Sequence, residues 1–221
     1  MSDPRERAKE LAGRRAAEYV EDGMRVGLGT GSTVRHTILT LGERKPNITC
    51  VATSVATHDL ATDLGLTVVP PDEVGVLDIA IDGADEVDPA FNLIKGGGGA
   101  QTREKIVARM AARFVVVVDE SKLVDRLGAF GLPLEVLAFA PDVVAAVVRS
   151  MGASEVTRRE RLSDGGNVLM DARFGSIADP AGLARDLDAV PGLVDHGLFL
   201  GAWVERVVVA GPEGVREPAR R

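Results

Sequence analysis

The chain has 221 residues, of which 45% are hydrophobic and 27% charged, and its formal net charge is −7. This composition suits one large domain, or a medium domain with a smaller one, and the negative charge disfavours a general nucleic-acid or acidic-membrane binder. The single cysteine, Cys50, excludes an intrachain disulfide and a cysteine-based metal site. The start of the chain is charged, and the longest apolar runs are too short to cross a bilayer. We therefore expect a cytoplasmic protein.

The first 130 residues alternate between strand and helix patterns. A helix is predicted to begin at Pro4, after the N-cap Asp3. The further predicted strands are 24–28, 49–53, 67–69, 77–81 and 114–118, and the further helices are 32–41, 57–64 and 102–110. Such alternation indicates a largely parallel sheet covered on both faces, in which ligands bind beyond the carboxyl ends of the strands.

The pattern changes after Gly131. The strands and helices predicted from there to residue 200 follow the order β-α-β-β-α-β, which is the ferredoxin-like arrangement. The apolar strand 204–210 can return to the first sheet, and the tail 217–221 is expected to be frayed. We therefore predict an α/β fold with two domains. A Rossmann-like, mostly parallel sheet domain (residues 1–130 plus 204–221) would carry a smaller inserted α+β domain (residues 131–203).

A glycine-rich turn, Gly27 to Thr33, follows the first predicted strand. Its glycines would let backbone N–H groups approach an anion, and Ser32 and Thr33 add hydroxyl donors. The alternative is a tight strand–helix connection with Ser32 as the N-cap. The turn lacks the lysine of a P-loop and the last glycine of the dinucleotide fingerprint, and no acidic residue clearly ends the second strand. A nicotinamide cofactor is therefore not expected.

Four carboxylates lie within residues 82–88, directly after the predicted strand 77–81. This position favours a functional role, and the alternative is a solvated acidic loop. None of the three histidines lies in or beside the cluster, and its spacing differs from that of an EF-hand loop. We therefore expect no metal site there.

The segment from Lys95 to Lys122 contains three further candidates. Four glycines follow Lys95, and ordering such a run costs much backbone entropy unless a ligand needs the close approach. A flexible linker is the alternative, although no polar spacer flanks the run. Glu104 falls in the first turn of a predicted helix, where a carboxylate can also serve only the helix dipole. Lys122, just past strand 114–118, is either a ligand contact or an ordinary surface lysine.

These motifs, taken together and in this order, resemble the type A family of ribose-5-phosphate isomerases. The resemblance covers nearly the whole chain and rests on residues 29–33, 82–86, 95–98, 102–105, 121–122, 132–136, 166–168 and 197–199. It implies isomerisation of ribose 5-phosphate to ribulose 5-phosphate through an enediolate, in the non-oxidative branch of the pentose phosphate pathway. It also implies a homodimer that needs no cofactor and no metal.

The resemblance also implies a role for individual residues. Glu104 matches the catalytic base, while Asp82 and Asp85 contact sugar hydroxyls, with Asp82 a candidate for assisting ring opening. Lys95 would hold the reacting end. The substrate-binding residues that it implies are Thr30, Gly31, Ser32, Thr33, Asp82, Gly83, Ala84, Asp85, Lys95, Gly96, Gly97, Gly98, Lys122 and, on the first helix, Lys9. Glu120 and Gly99 depart from the family pattern, but neither removes a catalytic group.

Elementary chemistry agrees with this interpretation. Moving a proton between adjacent carbons requires a base, donors for the developing oxyanion and an anchor for the phosphate. Glu104, Lys95 with the glycine N–H groups, and the Ser/Thr turn supply these three functions. Three other functions stay open at this point: an isomerase or deaminase for another sugar phosphate, a regulatory module that binds a sugar phosphate, and a CoA-dependent transferase.

Overall fold

The computed structural model describes residues 3–221, which form two compact units. The first contains the described residues up to Ala84 together with Arg103–Lys122 and Ala202–Arg221, and the second contains Asp85–Thr102 and Leu123–Gly201. The predicted domains, 1–130 plus 204–221 and 131–203, stay a prediction. By its contacts, each of the segments 85–102 and 123–130 belongs with the second unit.

The elements are numbered in chain order. The helices are α1 (Pro4–Ala17), α2 (Ser32–Arg44), α3 (Val55–Asp63), α4 (Gln101–Met110), α5 (Pro141–Ser150) and α6 (Pro180–Asp188). The strands are β1 (Arg25–Leu28), β2 (Thr49–Ala52), β3 (Thr67–Val68), β4 (Ile79–Asp82), β5 (Glu86–Val87), β6 (Leu93–Ile94), β7 (Phe114–Asp119), β8 (Leu132–Val136), β9 (Glu155–Leu162), β10 (Val168–Arg173), β11 (Leu193–His196), β12 (Leu198–Phe199), β13 (Arg206–Gly211) and β14 (Gly214–Arg216).

The first unit is built on a seven-stranded sheet with the order β14-β13-β7-β4-β1-β2-β3. All neighbouring pairs are parallel except β13 with β14. Every residue of β4 and β7 is buried, as expected for parallel strands covered on both faces. Helices α1 and α2 contribute Ala12 and Ile38 to the core on β1. The order of the strands reverses between β1 and β4, which is where ligands bind in open α/β sheets.

The second unit contains a four-stranded antiparallel sheet with the order β11-β8-β10-β9. Helices α5 and α6 connect its strands, and the chain order β-α-β-β-α-β is the ferredoxin-like arrangement. Its core contains Leu134, Met170 and Leu187. Together with the Rossmann-like sheet of the first unit, this arrangement confirms the predicted fold class.

Local details of the fold add to the sequence-based expectations and correct one of them. A three-stranded sheet, β12-β6-β5, was not predicted, because its strands of two residues carry no periodicity. The broken strand predicted over 193–200 consists of two strands, β11 and β12, which lie in different sheets. The tail expected to be frayed is held at Glu217, whose carboxylate accepts hydrogen bonds from Arg15, Tyr19 and Arg206.

No helix within residues 3–221 combines the length and the hydropathy needed to cross a membrane.

Candidate active site

The glycine-rich turn after β1 lies against Asp82, the last residue of β4. The N–H of Gly29 donates to the carbonyl of Ile81 at 2.9 Å. A Cβ atom at Gly29 would lie 2.0 Å from Oδ1 of Asp82, so no larger residue fits there without a shift. Gly31, the N-cap of α2, has a φ of 140°, which also favours glycine. The turn is therefore specified by close approach and by backbone conformation.

Asp82 joins the glycine-rich turn to the acidic loop. Its side chain is buried, and its Oδ1 accepts hydrogen bonds from the N–H groups of Thr30 at 3.1 Å and Gly83 at 2.7 Å. The structure thus brings together three of the residues predicted for the site. The same carboxylate fixes the backbone on both sides of the point where the strand order reverses.

A buried cluster of hydroxyl groups lies beneath Thr30, and the sequence analysis did not identify it. Thr30 donates to Oγ of Ser54 at 2.7 Å, Ser54 donates to Oγ1 of Thr57 at 3.1 Å, and Thr57 donates to the carbonyl of Gly29 at 2.9 Å. The hydroxyl of Thr53 lies 2.8 Å from that of Thr30. These directed hydrogen bonds hold the turn in one conformation. The signal in the sequence is a set of Ser and Thr residues at the end of β2 and the start of α3.

The remaining candidates of the first unit differ in their surroundings. Glu104 is buried in the first turn of α4. Ser32 begins α2 at an exposed position, and Thr33 beside it is buried. Lys122 is half-buried in the turn after β7. Lys9 forms an ion pair of 2.7 Å with Glu6 on its own helix, and that hydrogen bond lowers the pKa of Glu6.

A cavity of about 270 Å³ lies beyond the carboxyl ends of β2 and β3. Its lining includes Ser54 of the hydroxyl cluster, His58 of α3 and Arg103, which precedes Glu104. The cavity therefore opens on the edge of the sheet where ligands of this fold bind.

The candidates of the second unit surround the glycine run. The carboxylate of Asp85 accepts a hydrogen bond of 2.7 Å from the N–H of Gly97. Gly96 has a φ of 105°, and its carbonyl accepts from the N–H of Gly99 at 2.8 Å. Gly98 lies within the turn that this hydrogen bond closes. The run is therefore an ordered, hydrogen-bonded turn in this unit.

Lys95 is held by the segment that follows β11. Its side chain is buried, and its Nζ lies 5.4 Å from the ring centroid of Phe199. Its N–H donates to the carbonyl of Gly197 at 2.8 Å, and a Cβ atom at Gly197 would lie 2.2 Å from the Lys95 carbonyl oxygen. This contact explains the glycine of the motif at residues 197–199.

A buried carboxylate accounts for two other motifs. Glu135 on β8 accepts hydrogen bonds from Thr102 at 2.5 Å, Ser163 at 2.6 Å and Nδ2 of Asn167 at 2.8 Å. Glu135 and Asn167 belong to the motifs at 132–136 and 166–168, for which the sequence indicated no role. Glu135 thereby holds Thr102, and Asn167 holds Glu135, within the second unit.

No group of three or more His, Cys, Asp or Glu residues that could hold a metal ion occurs within residues 3–221. Independence from metal ions stays a prediction.

Known proteins resemble this chain along almost its whole length. The family model described as ribose 5-phosphate isomerase A (phosphoriboisomerase A) matches residues 49–214. The ribose-5-phosphate isomerase A of Jannaschia sp. (strain CCS1) is 47% identical over 229 residues, which cover 97% of this chain and 87% of that protein. The protein of the same name from Thermomicrobium roseum is also 47% identical, covering 96% of this chain and 93% of its own.

Solved structures agree with these sequence matches. The crystal structure of ribose 5 phosphate isomerase A from Neisseria gonorrhoeae superimposes with a TM-score of 0.95 at 33% identity, covering 98% of both chains. A D-ribose-5-phosphate isomerase in complex with phospho-erythronic acid superimposes with a TM-score of 0.93 at 37% identity, covering 97% of this chain and 99% of the other.

Proposed function

The chain belongs to the ribose 5-phosphate isomerase A family, and we propose on this premise which of its residues perform the reaction. The chain is an intramolecular oxidoreductase that interconverts ribose 5-phosphate and ribulose 5-phosphate in the pentose phosphate pathway. The observation that carries this function is the match over 97% of the chain at 47% identity. The open alternatives, a regulatory module and a CoA-dependent transferase, have no comparable support.

Glu104 is proposed as the general base. It would remove the proton from C2 of the open-chain aldehyde and deliver a proton to C1, so that the carbonyl moves from C1 to C2 through an enediolate. The hydrogen moves as a proton, so this route requires no redox cofactor. Its burial in the first turn of α4 supports the role, because a helix holds the carboxylate in a fixed position.

Asp82 and Asp85 are proposed to contact the sugar hydroxyls, and Asp82 to assist opening of the furanose ring. Both carboxylates already accept backbone hydrogen bonds, Asp82 from Thr30 and Gly83, and Asp85 from Gly97. These bonds fix the carboxylates before the substrate arrives, which reduces the entropy lost on binding. Gly83 and the adjacent Ala84 would contribute backbone contacts.

The phosphate is proposed to bind at the turn that begins α2. The N-terminus of a helix attracts an anion, and Thr30 to Thr33 provide backbone and hydroxyl donors there. Lys122 would add a charge-assisted hydrogen bond. Lys9 is the weakest of the proposed phosphate ligands, because its ammonium group already forms an ion pair of 2.7 Å with Glu6.

Lys95 and the N–H groups of Gly96 and Gly98 are proposed to stabilise the enediolate oxyanion, while the N–H of Gly97 holds Asp85. A cation and fixed backbone donors suit a charge that develops only in the transition state. The glycine run supports this role, because its hydrogen bonds hold the backbone in one conformation.

The protein is further proposed to act as a homodimer in the cytoplasm. The unpaired, buried Cys50 suits a reducing compartment, and two-fold dimers are the commonest assemblies of soluble enzymes.

Conversion of a panel of sugar phosphates by the purified protein tests the function. Ribose 5-phosphate should be converted to ribulose 5-phosphate with a higher kcat/KM than any hexose phosphate or amino-sugar phosphate. A higher kcat/KM for one of those substrates would replace this proposal with another sugar-phosphate isomerase or a deaminase.

A further inference from the structure

The peptide group between Gly96 and Gly97 is held from both sides. Its carbonyl oxygen accepts a hydrogen bond of 2.8 Å from Nη1 of Arg159, and its N–H donates to Asp85 at 2.7 Å. The same Nη1 lies 3.3 Å from the carbonyl oxygen of Gly97. One guanidinium group on β9 therefore contacts two successive carbonyls of the glycine run, and no family motif identified in the sequence includes it.

Arg159 is itself held in place. Its Nε and Nη2 form two hydrogen bonds to the carboxylate of Asp171 on β10, at 2.8 and 2.5 Å. This bidentate geometry orients the planar guanidinium, whose side chain is only 15% exposed. An arginine fixed in this way can position other groups, whereas a mobile surface arginine cannot.

Arg159 lies beside an irregularity of the sheet. The register of β10 with β9 shifts between the pairs Val168–Leu162 and Met170–Arg158, and Arg159 falls in the extra stretch of β9. Bulges of this kind re-aim a side chain and occur frequently next to active sites.

We propose that Arg159, held by Asp171, is a positioning residue that sets the direction of the oxyanion donors in the glycine run; this inference rests on the proposed function. In a trans peptide the N–H points away from the C=O. The Gly96 carbonyl faces Arg159, and the N–H of Gly97 in the same peptide faces Asp85 on the other side. In the next peptide the Gly97 carbonyl faces Arg159, so the N–H of Gly98 points away from the guanidinium. Consecutive glycines otherwise sample many conformations. Arg159 restricts them together with Asp85, the Gly99 N–H and Arg161, whose Nη2 lies 3.4 Å from the Gly97 carbonyl oxygen.

Arg159→Gln tests the inference, with Arg158→Gln as the matched control. Arg158 is the exposed neighbour on the same strand, and its side chain points to the opposite face. A displacement of the donors by about 1 Å costs up to about 10²-fold in rate, so we expect Arg159→Gln to lower kcat by about 10- to 100-fold. The KM for ribose 5-phosphate should stay within about 3-fold, because the phosphate anchor is unchanged. Arg158→Gln should behave as wild type.

Two inhibitors separate positioning from a loss of folded protein. Phospho-erythronic acid carries both a phosphate and a carboxylate, which is expected to occupy the oxyanion site, whereas inorganic phosphate occupies the anchor alone. Arg159→Gln should weaken phospho-erythronic acid by at least about 10-fold, as expected when one misplaced backbone donor no longer reaches the carboxylate, and leave inorganic phosphate unchanged. Arg159→Lys, which keeps the charge without the fork, should recover part of the rate.

Three results would overturn the positioning role. The first is a kcat of Arg159→Gln within about 3-fold of wild type, which is a smaller loss than misplaced donors would cause. The second is an equal loss of affinity for both inhibitors, and the third is a loss of rate that is explained by the fraction of unfolded protein. Should Arg159→Gln fail to fold, Asp171→Asn provides the same test, because it frees the guanidinium without removing it. The wild-type protein is assayed first. If it does not convert ribose 5-phosphate, the proposed function is refuted and the positioning role is not at issue.

Discussion

Replacing Glu104 with glutamine removes the proposed base while preserving its shape. Glutamine keeps the length and the hydrogen-bonding reach of the side chain but cannot accept the C2 proton. A positioned general base contributes about 10²–10⁴-fold to the rate, so kcat of Glu104→Gln should fall by at least about 100-fold. The KM should stay within a few-fold, because the proposed phosphate ligands lie at the start of α2 and in the turn after β7.

Stability should change much less than activity. A carboxylate in the first turn of α4 stabilises the helix by about 0.3–1 kcal/mol through its interaction with the helix dipole. Circular dichroism and thermal unfolding should therefore show a folded variant. Glu73→Gln is the matched control, since Glu73 is an exposed carboxylate in a short helical turn of the same unit, and it should retain wild-type kcat. The role would be refuted by a folded Glu104→Gln protein that keeps more than about a tenth of wild-type kcat, because the loss of a general base lowers the rate by more than that. The base would then have to be sought in Asp82 or Asp85.

Three further predictions follow from the same geometry. Thr57→Val removes a buried donor to Gly29 and should raise KM and cost about 1–3 kcal/mol in unfolding experiments. Thr37→Val should cost nothing, because the equally buried hydroxyl of Thr37 has no hydrogen-bond partner within residues 3–221; equal losses in both variants would argue against the hydroxyl cluster. Lys122→Ala should raise the KM for ribose 5-phosphate by about 10-fold or more while kcat is kept, and unphosphorylated ribose should be a very poor substrate; similar kcat/KM for both sugars would contradict the anchor. Burial raises the pKa of the Cys50 thiol to about 12, so about one thiol in 10⁴ is ionised at pH 8 and a thiol reagent should modify only the unfolded protein; rapid modification of the native protein would contradict this.

The positions of the main site segments were predictable because they depend on a simple rule of parallel sheets. The turn after β1 and the carboxylate that ends β4 both follow apolar strands, and such strands place their carboxyl ends along one edge. Asp82 was predicted to follow its strand and is its last residue. That difference of one residue is within the usual uncertainty of strand ends.

The supporting contacts were not predictable, because they depend on tertiary structure that leaves no local pattern. Thr53, Ser54 and Thr57 resemble an ordinary strand end and helix start, and only the fold places them beneath Thr30. Arg159 lies among other charged residues on an exposed strand, where a solvent-facing role is the natural interpretation. Its partners, Asp171 and the carbonyls of Gly96 and Gly97, come from distant segments of the chain.

Isomerisation of ribose 5-phosphate in deuterium oxide, followed by nuclear magnetic resonance, tests the central claim most directly. If Glu104 carries the C2 proton through an enediolate, the proton can exchange with solvent, and ribulose 5-phosphate should form with deuterium at C1. Glu104→Gln should show neither product nor loss of the C2 proton on the same timescale. The fraction of deuterium at C1 reports how far the carried proton exchanges with solvent, whereas the variant reports which residue carries it. Product that forms at an undiminished rate in folded Glu104→Gln would contradict proton transfer by this residue.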